Sequence, residues 1–181
     1  MGASYWVTPL PPFHTASGQL ASFTTLADLF PTAAQGSIVI PAGQLIIGSE
    51  IEIEAAGNLS STGTPTFTLG LYFGGVAGVA LAASSAKTTA SGAASHPWKM
   101  RYRGVVRAVG TSGSIVGAGE LWFPTALAAW TCTPIPETAA ARTVTIDTTT
   151  AKSITVGSAC SASSASNIIV CDDLSVKLVN A

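Results

Sequence analysis

The chain has 181 residues, with eight basic and nine acidic side chains, a net charge of −1 and a charged fraction of 9%, against about 25% in an ordinary globular protein. That length suits one domain, and with no basic excess there is no electrostatic case for nucleic acid or an anionic membrane surface as partner. Ser, Thr, Ala and Gly stand where charges would; such short neutral side chains lose little entropy on ordering and cost little to desolvate, which suits a subunit packed against copies of itself.

Residues 1–18 read as an extended N-terminal arm, leaving 19–181 as a single domain. Pro9, Pro11 and Pro12 work against regular pairing there, and Tyr5, Trp6 and Phe13 make the segment too aromatic for plain disorder. The arm either folds back over its own domain or docks on a neighbouring subunit. It lacks the basic and apolar regions of a signal peptide, and Trp6 occupies the position where a myristoylation signal needs Ser or Thr. Ser22 to Phe30 is the best short-helix candidate, stopped by Pro31.

Almost everything later reads as strand. Ser37 to Ile40 is short and Gln44 to Ala55 long. In Thr66 to Phe73, Phe67, Leu69, Leu71 and Phe73 alternate with uncharged Thr66, Thr68, Gly70 and Tyr72. An uncharged second face of this kind is expected to lie against a second sheet or a second subunit. Gly74-Gly75 turns the chain into Val76 to Leu81. Ala82 to Ser95 is a low-complexity loop. Trp98 to Val109, Ser114 to Phe123, Thr143 to Asp147, Ser153 to Ala159 and Ile168 to Leu178 complete the set. The uncharged run Ala55 to Ala86 is broken by glycines and alternates with period two, so it does not read as a membrane-spanning helix. Many short strands with turn chemistry between them give an all-β, antiparallel β-sandwich. The long connections 82–95 and 124–142 favour a jelly roll over an up-and-down barrel.

Two charge rows stand out. Glu50, Glu52 and Glu54 share one strand face, and Lys99, Arg101 and Arg103 share one face of another. Either each row faces water, or the two meet, within one subunit or across two, and fix register and partner choice. The carboxylates alternate on one strand without a second cluster opposite, which is not a glycosidase arrangement. His14 and His96 lack a second ligand at metal spacing, and Asp172-Asp173 lacks the regular oxygens of a calcium loop. GxSxG is absent, and SGSIVGAGE lacks the ending of a phosphate loop. Asn58-Leu59-Ser60 matches a glycosylation acceptor only by chance. Trp98, Trp122 and Trp130 are candidates for stacking on sugar rings, although Trp98 and Trp122, on strands, are expected in the core. Of the three cysteines, Cys160 and Cys171 could meet across a hairpin and Cys132 has no obvious mate; all three are expected to be reduced. The reading is therefore non-enzymatic, with no catalytic residue, cofactor or metal.

PTFTLGLYFGGVAG, PWKMRYRGVVRAVGTSGSIVGAGEL and SITVGSACSASSASNIIVCDDLSVKLVN resemble a group of virion structural proteins, capsid decoration or minor capsid proteins, of tailed bacteriophages infecting actinobacteria. The resemblance covers residues 43–181 and rests on turns and strands, so it carries over no catalytic residue. It implies a homotrimeric jelly roll that binds the major capsid protein on the capsid exterior, assembles in the host cytoplasm and stabilises the shell. Tyr5, Trp6, Phe13, Glu50, Glu52, Glu54, Lys99, Arg101 and Arg103 are the expected subunit or capsid contacts. The alternative is a receptor- or glycan-binding module of a tail or head fibre, working through Trp130 and the loops 82–95 and 124–142.

Overall fold

A computed structural model of the chain describes residues 6–10, 18–30, 38–137 and 142–180, with backbone alone for 6–10 and 180. Two antiparallel sheets face each other. The larger holds β1 (Trp6–Leu10), β2 (Gly18–Ala21), β5 (Glu50–Ser60), β9 (His96–Ala108), β10 (Gly113–Ala126), β11 (Ala129–Ile135), β12 (Thr143–Ile146) and β14 (Ile168–Asn180). The smaller holds β3 (Ala27–Asp28), β4 (Ile38–Ile40), β6 (Thr66–Phe73), β7 (Val79–Ala83), β8 (Lys87–Thr88) and β13 (Lys152–Cys160). The larger sheet runs β1-β14-β5-β9-β10-β11, with β2 also on β14 and β12 also on β10; the smaller runs β3-β13-β6-β7, with β4 also on β13 and β8 also on β6. The fold is an all-β antiparallel sandwich, as the strand periodicity predicts.

Alternation builds the core. Ile51, Ile53 and Ala55 of β5, and Trp98, Met100 and Tyr102 of β9, point inward. They share one buried cluster with Phe67, Leu69, Leu71 and Phe73 of β6 and Ile154 and Val156 of β13. Each fully buried side chain of this size stabilises the fold by about 1.5–3 kcal/mol.

Part of the uncharged outer side of β6, at Gly70 and Tyr72, is covered by its own chain, while Thr66 and Thr68 stay half-buried. Tyr72 is buried, and its ring lies across Gly70 and Gly157 on adjacent strands, where a Cβ would come within 2.8 Å of it. Only glycine leaves room for the ring. Beside it Thr155 donates its hydroxyl to Asp28.

Several expectations are corrected. Residues 22–30 form no helix: Ser22 has φ 54°, and Leu29 donates its N–H to Val156 as β3 edges along β13. The long strand expected from Gln44 begins only at Glu50, because Gly43 and Gly48 take left-handed turns at φ 69° and 93°. Prolines do not prevent pairing in the arm: Trp6–Leu10 lies antiparallel on β14, with Pro9 opposite Lys177. A proline is tolerated there because β1 is an edge strand. The 124–142 connection contains β11, hairpinned to β10. The 82–95 loop is tied down through Ser61, whose N–H donates to Ala93 O and whose hydroxyl donates to Ala90 O. Lys87 also pairs with Glu137 at 2.5 Å.

Candidate interaction surface

The outward side chains of β14, β5, β9 and β10 form rows across the larger sheet. The pairing of β5 with β9 sets Glu52 opposite Arg103 and Glu54 opposite Arg101. Lys177 flanks Glu52 on β14, and Glu120 flanks Arg101 on β10. The two charge rows of the sequence therefore meet within one chain. Arg103 bonds Glu50 and lies 4.0 Å from Glu52, Arg101 Nε lies 3.3 Å from Glu54, and Lys99 Nζ lies 3.7 Å from the same carboxylate. These pairs are exposed, so solvent screening leaves each of them little effect on stability. Their larger effect is on register, since a one-residue slip would turn the acids inward.

Between these rows the sheet has a shallow open depression of about 460 Å³, lined by Glu52, Glu54, Arg101, Arg103 and Glu120. Ala118, the outward residue of β10 opposite Arg103, has a side chain too small to fill the space.

Beyond the Glu120 edge of the depression lie two indoles, neither of them lining it. Trp122 lies one outward position beyond Glu120 and is opposite Lys99 on β9 and Cys132 on β11. Trp130 is on the same face, diagonal to it. Trp98 is buried as expected, but Trp122 is 45% exposed and Trp130 47%, which corrects the core assignment of Trp122. Leu121 and Phe123 on either side of it fill the core instead. Trp130 is held in place: its Nε1–H donates to Pro97 O at 3.1 Å, and its ring stacks on His96 with centroids 6.3 Å apart.

A second exposed feature is apolar. Ser49 N–H donates to Ile46 O at 3.0 Å, and Ile46 N–H donates to Ser49 Oγ at 2.9 Å, closing a tight turn with Gly48 at its left-handed position. Ile47 at the tip is 64% exposed, and Ile46 and Val109 are exposed at the same end of the sandwich. Hydrogen bonds from Gly43 N to Thr148 O and from Thr148 N to Gly110 O lash these loops together.

Among the described residues no three His, Cys, Asp or Glu side chains are grouped to hold a metal ion. His96 is engaged with Trp130, and Asp172 accepts from Asn58 Nδ2 at 2.9 Å. Cys160 and Cys171 do not meet: each is buried and free, its thiol directed at a nearby carbonyl, of Ala162 and Asp173. Burial pushes the Cys171 thiol far above its ordinary value. Cys132 is exposed and free. Tyr5, Phe13, His14 and the Trp6 side chain lie outside the described residues.

No family model matches the sequence, and no curated protein does. Among solved structures, a chain of the structure of infectious bursal disease virus Gx strain is similar, at 16% identity with a TM-score of 0.32. The correspondence takes in 97% of this chain but only 31% of that one.

Proposed function

We propose that the chain is a non-enzymatic virion structural protein of a tailed bacteriophage, a homotrimeric decoration protein that seats on the capsid exterior and stabilises the shell. The observation that carries this reading is the rigid apolar end formed by Ile46, Ile47 and Val109. Three exposed apolar side chains clustered on hydrogen-bonded turns suit a contact surface. The charge rows neutralise each other inside one chain, so this end, rather than Glu50, Glu52, Glu54, Lys99, Arg101 and Arg103, is the stronger candidate for the subunit or capsid contact.

The strand path supports the same reading. β2-β14-β5-β9 faces β4-β13-β6-β7, and the chain crosses between sheets from β4 to β5, β5 to β6 and β13 to β14. We read this as jelly-roll connectivity with β10, β11 and β12 inserted before the last two strands, an architecture found in viral capsid and lectin domains. The phage resemblance of residues 43–181 supports a virion as its location.

The test is solution mass by light scattering, followed by co-sedimentation with purified shells of the encoding phage. The full chain is expected as a trimer that pellets with shells, and Ile46→Ser/Ile47→Ser is expected to lose one or both properties while keeping its fold. A monomeric full chain that stays in the supernatant would count against the proposal.

A further inference from the structure

We infer that Trp122, Trp130 and the adjoining depression form a binding site for a neutral carbohydrate chain. This site lies on the sheet face, apart from the Ile46 and Ile47 turn, and does not depend on shell attachment.

A pyranose ring has an apolar C–H face and a rim of hydroxyls that both donate and accept hydrogen bonds. A site for it needs a flat aromatic surface held still, with donors and acceptors beside it. Both parts are present. Trp122 and Trp130 present exposed indoles on one sheet face, as diagonal neighbours about 7–8 Å apart on adjacent strands. The Trp130 ring is fixed before any ligand arrives, by its bond to Pro97 O and its stack on His96, so little freedom is lost on binding. One outward position along, Glu120 and Arg101 line the depression, with Glu54 beyond them. Carboxylates accept from hydroxyls and guanidinium groups donate to them.

The charge pattern selects among ligands. Beside this site the acidic side chains of β5 and the basic ones of β9 are already paired, Glu54 with Lys99 and Arg101, and Arg103 with Glu50 and Glu52. An anionic or cationic polymer would have to break such pairs to gain its own, whereas a neutral polyol uses the lone pairs and N–H groups the pairs leave free. The depression is shallow and open, which suits a chain lying across the sheet better than a small molecule enclosed on all sides.

The test uses the full chain titrated with cellohexaose, maltohexaose and α-1,6-mannohexaose, with polygalacturonate and chitosan oligomers as charged comparisons. Tryptophan fluorescence and calorimetry give the affinity, and protection of the exposed Cys132 from a maleimide reports occupancy at the patch. At least one neutral hexasaccharide is expected to bind and to slow Cys132 labelling. Trp122→Ala and Trp130→Ala should each weaken it about tenfold or more, while Trp122→Phe and Trp130→Phe keep part of the affinity. Unchanged thermal midpoints would show that the alanine variants still fold. The inference is overturned if none of the three neutral chains binds at millimolar concentration, if binding survives both alanine changes, or if only a charged polymer binds. It is overturned equally if light scattering shows self-association that the alanine variants abolish, since the patch is then an interface between copies.

Discussion

The Tyr102 hydroxyl occupies the space a side chain on Gly117 would need: a Cβ there would sit 2.2 Å from the phenol oxygen. Gly104 leaves the same ring room from the next inward position along β9. The oxygen is buried without a hydrogen-bond partner, and burial pushes its pKa to about 12. An unpaired buried hydroxyl costs about 1–3 kcal/mol. Tyr102→Phe is therefore expected to raise stability by about 1 kcal/mol, read as a rise of about 2–4 °C in Tm. Gly117→Ala is expected to lower stability by about 1–3 kcal/mol through overpacking. The loss should persist when Gly117→Ala is combined with Tyr102→Phe, because the ring carbon at 2.4 Å and Arg103 O at 2.7 Å remain. A destabilised Tyr102→Phe would mean that the hydroxyl has a partner in solution.

The Glu54–Arg101 pair tests what the charge rows do. Both side chains are about half exposed and 3.3 Å apart, so a double-mutant cycle with Glu54→Gln and Arg101→Gln should give a coupling of about 0.2–1 kcal/mol that fades in about 1 M salt. Glu54→Lys should cost more than Glu54→Gln, since it places a cation beside Lys99 and Arg101. A coupling above about 2 kcal/mol that ignores salt would show that a neighbouring subunit buries the rows.

How much of this was legible in sequence depends on where period two stands alone. Thr66–Phe73 matches its reading residue for residue, because apolar and neutral positions alternate cleanly between a Pro and a Gly pair. Glu50–Ser60 was displaced, because Leu45, Ile46 and Ile47 look like a continuing strand, whereas Leu45 is buried and Ile46 to Ser49 form a turn whose apolar tip, Ile47, faces solvent. That exposure is a tertiary fact with no local signature. β11 was hidden by its edge position: nearly all its residues are exposed and Pro134 interrupts it. Trp122 was readable. With Leu121 and Phe123 inward, alternation alone turns the residue between them outward, and the preference of Trp for cores obscured it. The meeting of the charge rows was one of the two options the composition left open; choosing between them needed the β5–β9 register.

Two aspartates respond to acid with opposite sign. Asp147 accepts from the Thr149 side chain and N–H and from Thr150 Oγ1, with Lys152 nearby, which holds its carboxyl down to about 2. Its contribution is complete above the ordinary aspartate value and is lost as pH falls through about 2. Asp28 is raised above 3.8, by burial working against bonds from Thr155 and Phe30 N. Its charge therefore costs stability as pH climbs from the ordinary value through the raised one. Carboxyl-carbon NMR titration should place Asp147 below and Asp28 above an unperturbed aspartate. Asp147→Ala should remove part of the acid sensitivity between about pH 4 and pH 2, and Asp28→Asn should flatten the opposite slope. Reversed midpoints would refute both assignments.

Deletion of residues 2–15 separates the two roles left to the N-terminal segment. It removes β1, whose Trp6–Leu10 pairs with Val176–Asn180 of β14. β14 keeps its long ladder to β5 and its inward Val176 and Leu178 remain core residues, so the truncated chain is expected to fold, with a modestly lower Tm. The uncovered edge of β14 then presents unpaired backbone groups, and unpaired edges recruit other strands. Slow self-association that rises with protein concentration is expected, relieved by a synthetic peptide of residues 2–15 added in trans. If the segment works only on its own domain, shells should bind the truncated protein as tightly as the full chain once aggregation is suppressed. If it also reaches the capsid, as expected of Tyr5, Trp6 and Phe13, shell binding should fall even with the fold intact. A truncated chain that neither loses stability, nor aggregates, nor binds shells more weakly would show that β1 is dispensable to both.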